Sequence, residues 1–76
     1  KALDLTPDDP DTVFNVLVAY AAGEDWSDVA QWGEKYVSIN AADPNGWKLL
    51  ARGYLETGEE EKAAEASKRY EMLKQQ

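Results

Sequence analysis

Apolar residues recur along this chain with helical spacing, and the spacing itself recurs. Val13, Val16, Leu17 and Tyr20 fall at i, i+3, i+4 and i+7, one face of a helix predicted over about Asp11 to Ala22. Trp26, Val29, Ala30, Gly33, Tyr36 and Val37 form the apolar face of a second helix, which begins at Glu24-Asp25 with Asp25 or Ser27 as its cap and fades at Asn40-Ala41-Ala42. Trp47, Leu50, Ala51, Tyr54 and Leu55 define a third helix over about Asn45 to Thr57, and a fourth follows over about Glu60 to Lys74. Its acids Glu59, Glu60 and Glu61 come first and Lys68, Arg69 and Lys74 later, the order the helix dipole favours. No stretch carries a strand signal. The pattern predicts an all-α chain of two helix hairpins.

The punctuation repeats with a period of 34. Asp9-Pro10-Asp11 becomes Asp43-Pro44-Asn45, Tyr20 becomes Tyr54, and Lys35-Tyr36 becomes Arg69-Tyr70. Each Asp-Pro pair reads as a cap followed by proline in the first turn, where a missing N–H costs nothing. Gly23 and Gly58 read as the closing signals of the first and third helices. Gly33 among bulky neighbours predicts close approach of another backbone. Lys1 to Leu5 matches the ends of the two later helix patterns and reads as a last helical turn, stopped by Pro7 and Pro10. The expected organisation is a single repeat domain over 1–76: residues 1–8 end a preceding repeat, 9–42 form repeat one and 43–76 repeat two. Stacked repeats bury their faces only against neighbours, and about three are needed for stability. The chain begins with Lys1 and is expected to be cut from a longer array, or to be completed by self-association.

Composition narrows the chemistry. Cysteine and histidine are both absent. Disulfides, thiolate sites and the usual neutral-pH proton shuttle are therefore excluded, and the compartment stays undecided. The serines and threonines have no base to activate them, so catalysis is not expected. Asp8, Asp9 and Asp11 lie at a Pro-rich helix start and read as capping groups. They lack the glycine and spacing of a calcium loop, and the Glu run reads as a solvated helix start, so neither metal nor cofactor is expected. No apolar run is long enough to span a membrane. The net charge of −7 is uneven: residues 1–47 hold nine acids and two bases, residues 48–76 six of each. The acidic half repels phosphate, which argues against nucleic-acid binding. It serves as a solubilising surface or as a face for a basic partner.

The repeat resembles the tetratricopeptide family in its 34-residue length and in the residues at family positions, which are Trp47, Leu50, Ala51, Tyr54, Gly58 and Ala63 in repeat two and Val13, Val16, Leu17, Tyr20, Trp26 and Val29 in repeat one. Pro7 matches the closing proline of a preceding repeat. The chain departs from the family at Leu17, Val29 and Gly33, at Tyr36 and Tyr70 (a late alanine in the family), and at Ala41, where the closing proline is missing. The resemblance implies a right-handed α-α superhelix whose concave groove, lined by the first helix of each repeat, binds a protein or peptide. Carried over by position, the groove residues are Asp11, Phe14, Val18, Ala21 and Ala22 in repeat one, and Asn45, Lys48, Arg52, Leu55 and Glu56 in repeat two.

Periodicity separately places Phe14, Val18 and Ala21 on a side distinct from Val13, Val16, Leu17 and Tyr20, so the first helix has a second apolar side to cover. Lys48 and Arg52, one turn apart, read as a solvated pair or as a grip on a carboxylate. The family's full carboxylate clamp lacks its other half, because Phe14 and Val18 stand there. Trp26 and Trp47 hold core positions and Trp32 is the candidate exposed contact, while Tyr36 and Tyr70 are expected between successive repeats. The alternative reading is a structural scaffold segment that forms a homo-oligomer. A binding module stays monomeric, whereas a self-completing segment gains mass with concentration.

Overall fold

In a computed structural model, which describes residues 9–75, four helices follow one another: α1 (Pro10–Ala22), α2 (Trp26–Ile39), α3 (Pro44–Glu56) and α4 (Glu60–Lys74). The described residues contain no strand. The helical turn expected at Lys1–Leu5 lies outside the described residues.

The period reappears in the local bonding. Asp9 and Asp43 precede α1 and α3 with extended backbone, and each carboxylate accepts the N–H two residues on, from Asp11 at 3.3 Å and Asn45 at 2.9 Å. That satisfies one of the donors a helix start leaves orphaned, with proline filling the next position. Asp25 and Glu59 precede α2 and α4 without a side-chain cap bond, and Ser27 lies inside α2.

The turns within the two hairpins share one hydrogen-bond scheme. Asp25 N–H donates to Tyr20 O and Glu24 N–H to Ala21 O; 34 residues on, Glu59 donates to Tyr54 O and Gly58 to Leu55 O. This double closure is a Schellman motif, which puts one residue in the left-handed region. That residue is Gly58 (φ 88) in the second hairpin and Glu24 (φ 60) in the first. Gly23, the expected closing glycine, has φ −88 and corresponds to Thr57 instead.

α3 packs on both α2 and α4, and α1 packs on α2. α1 also touches α3, whereas α2 and α4 do not meet. The smallest dimension of the molecule is 17 Å, room for two layers of helices. Val13, Leu17 and Val29 are fully buried, and Leu50, Tyr36, Ala66, Ala63 and Tyr54 nearly so. Trp26, Trp47 and Trp32 lie half-buried against this core rather than inside it. Trp47 Nε1 donates to Ala41 O at 2.9 Å, and Trp32 stacks on Tyr20 at 6.4 Å.

The α2–α3 seam is built on glycine. A Cβ added at Gly33 would meet Leu50 Cδ1 at 2.8 Å and Leu50 Cα at 3.2 Å, so the expected close approach is present and its partner is Leu50. Two further glycines on α3 do the same work. A Cβ at Gly46 would run into the Tyr36 ring, and one at Gly53 would meet Ala30 N at 2.9 Å.

Candidate peptide-binding face

Because α1 and α3 touch while α2 and α4 do not, the first helices of the two hairpins lie side by side on one surface. The expected groove residues of both hairpins belong to these helices, and the structure gives them different surroundings.

In the first hairpin Asp11 and Ala22 are exposed and Ala21 is half-buried. Phe14 does not project freely: its ring lies 5.1 Å from that of Tyr36, tilted by 49°. The second apolar side of α1 therefore finds part of its cover within the chain. Val18 is left open at 42 % exposure.

In the second hairpin Asn45 is exposed, with its backbone N–H held by Asp43. Lys48, Arg52 and Leu55 line one hollow of about 440 Å³ between α3 and α4, over Ala51, Ala63 and Ala64. Leu55 is 57 % exposed. Arg52 is committed on two sides: Nε donates to Glu56 at 2.8 Å, and the guanidinium lies 4.8 Å from the Trp26 ring. Guanidinium over an indole face is a cation–π contact, worth about 0.5–1 kcal/mol when exposed. Glu56, itself at a groove position, already supplies the carboxylate that Arg52 was read as receiving. Lys48 makes no such contact among the described residues and is the cation left for an outside group.

Two polar pairs were not visible in the sequence. The Tyr36 hydroxyl donates to Asp43 at 2.5 Å and accepts from Asn40 Nδ2 at 3.2 Å, tying the end of α2 to the cap of α3. The Tyr54 hydroxyl donates to Glu34, tying α3 back to α2. Burial raises the phenol pKa at both sites, and the neighbouring carboxylate raises it further. These tyrosines act as buried struts with satisfied hydroxyls. Repeat logic misses the second pair because the counterpart of Glu34 is Lys68. Tyr70, the counterpart of Tyr36, is half-buried, with the Lys74 ammonium 5.0 Å from its ring.

The described helices define an all-helical protein of two hairpins. No family model, no curated protein and no solved structure matches the chain. Among the described residues no helix is long and apolar enough to cross a membrane.

Proposed function

We propose that this chain is a tetratricopeptide-like module that binds a protein or peptide, without chemistry, on the face shared by α1 and α3. One observation carries the reading. The exposed large hydrophobic residues among those described are Val18, Leu55 and Met72, and two of the three stand at groove positions carried over from the family resemblance. Contact between the first helices, absent between the second ones, supports curvature toward that face and so a concave groove. Recurrence of caps and turn bonds at 34 residues supports the repeat architecture.

The ligand this face suits carries an apolar side chain for Val18 or Leu55 and an acidic group for Lys48. Apolar contact supplies affinity and the charge supplies steering. The test is selection from a random peptide library followed by titration of the selected peptides. Selected peptides should be enriched in large apolar residues beside Asp or Glu. Val18→Asp and Leu55→Asp should each weaken binding by roughly 10- to 100-fold, the value of a buried aliphatic side chain, with helicity unchanged. A library that yields no binder, or binders indifferent to both substitutions, would overturn the proposal.

A further inference from the structure

The surface of hairpin one that holds α3 has a counterpart on hairpin two, and the chain carries a helix that matches it. On hairpin one, Gly46, Leu50 and Gly53 of α3 meet Tyr36, Gly33 and the Val29–Ala30 segment. Moved by 34 residues, the receiving positions become Tyr70, Ser67 and Ala63–Ala64, and the last three border the open hollow between α3 and α4. Moved back by 34, the inserting positions become Thr12, Val16 and Ala19 on α1. Thr12 and Ala19 are exposed and Val16 is half-buried.

The two ends differ from the filled seam in partly compensating ways. Val16 is smaller than Leu50 where Ser67 is larger than Gly33. Ala19 is larger than Gly53, and Ala63, smaller than Val29, relieves the side-chain contact there while the two backbone contacts require the helices to sit further apart. Volume moved across a contact is tolerated better than volume added. The polar struts also have counterparts: Tyr36–Asp43 becomes Tyr70 with Asp9, and Tyr54–Glu34 becomes Tyr20 with Lys68. Residues 48–76 carry no net charge, but the bases Lys68, Arg69 and Lys74 gather in the later half of α4, around the Tyr70 position that Asp9 would meet. Thr12 is uncompensated, and there Tyr70 must turn. Tyr70 is half-buried, whereas Tyr36 is locked at 3 % exposure.

We infer that a second copy of this chain docks head to tail, with α1 of one copy on α4 of the next, in the register by which α3 sits on α2. The contact rests on one helix pair, so it is weak and shows only at high concentration. Docking leaves Arg52 open, since its counterpart Val18 keeps its exposure with α3 in place, and covers part of Lys48 and Leu55, whose counterparts Phe14 and Ala21 are half-buried.

Sedimentation equilibrium of the full chain up to millimolar concentration, on wild type and two variants, tests the inference. Ala19→Arg blocks the head and Ser67→Trp blocks the tail, both at exposed positions. Wild type should gain mass past the dimer, and each variant alone should remain monomeric. A mixture of the two should form a one-to-one dimer and nothing larger, because one intact head and one intact tail remain. Thr12→Arg and Ala64→Arg replace them if circular dichroism shows lost helicity. A wild type that stays monomeric, a mass that stops at the dimer, or a mixture that stays monomeric would overturn the head-to-tail register.

Discussion

Interior helical glycines are usually weak points, and Gly53 is predicted to be the opposite. Replacing a mid-helix glycine with alanine ordinarily stabilises by roughly 0.8–1 kcal/mol through propensity. Gly53 is buried in α3. A methyl group there meets Ala30 N at 2.9 Å, Val29 Cγ1 at 2.9 Å and Trp26 O at 3.2 Å. Two of those atoms are backbone in the first turns of α2 and cannot rotate aside, so the helices must part. Overpacking of this kind costs about 1–3 kcal/mol, and with backbone on the receiving side the upper half of that range applies. The net expectation for Gly53→Ala is a loss of roughly 1–2 kcal/mol. Urea unfolding followed by far-UV circular dichroism measures it. A chain this small has a urea slope near 1 kcal/mol/M, so the midpoint should fall by roughly 1–2 M. A midpoint that rises would mean that α2 and α3 do not approach as described, and the account of the seam would fail. Gly33→Ala should cost less, because its nearest contact is Leu50 Cδ1, the free end of a side chain.

The turns, caps and struts give three more tests. Glu24 holds a left-handed conformation that Gly58 supplies in the other hairpin; Glu24→Gly should stabilise by about 0.5–1 kcal/mol and Gly58→Ala should destabilise by about 1 kcal/mol, and opposite signs in thermal melts would refute the left-handed assignment. Asp9 and Asp43 both cap and each accepts one hydroxyl, an exposed one from Thr12 at Asp9 and the part-buried Tyr36 hydroxyl at Asp43; Asp43→Ala should cost about 2 kcal/mol against about 1 kcal/mol for Asp9→Ala, because only the first leaves a buried donor unpaired, and equal losses would deny the strut. The Tyr54 phenol is raised above 10.0, by burial first and then by Glu34, and Tyr36 is raised by burial first and then by Asp43. Because the folded values exceed the unfolded one, this stabilisation is whole below about pH 10 and drains as pH climbs toward the folded values. Melting temperature should fall above pH 10, and less steeply in Tyr54→Phe; identical alkaline slopes would remove Tyr54 from the explanation.

Helix bounds were legible in the sequence because Asp-Pro starts and period-3.6 apolar spacing are local signals, and they place α1 to α4 within a residue or two. Gly33 was legible as a close approach because its neighbours are bulky. Gly46 and Gly53 were not, since Asn45 and Arg52 beside them make that side of α3 look solvated. The left-handed residue was missed by one place. A glycine at 23 draws attention, but Asp25 N–H bonded to Tyr20 O fixes Glu24 as the residue that turns. Arg52 with Glu56 is an i, i+4 pair and could be read directly. Arg52 over Trp26 could not, because it depends on how closely α3 approaches the start of α2.

That last contact decides how the proposed groove is to be probed. Between the hairpins, Phe14 and Val18 become Lys48 and Arg52, an apolar pair replaced by a charged one. Surroundings alone explain part of the change: Phe14 is half covered by Tyr36, whereas Lys48 is exposed, where a charge keeps its water. Polarity here is therefore not by itself a sign of ligand recognition. The two cations also differ. Arg52 holds Glu56 and roofs Trp26, so its loss would disturb the α2–α3 seam and mix stability with binding. Lys48 has no such role, so Lys48→Glu reads the groove alone. If acidic peptides bind here, that substitution lowers their affinity and flattens its dependence on salt while the urea midpoint stays in place. A shifted midpoint with unchanged affinity would assign Lys48 to the fold instead.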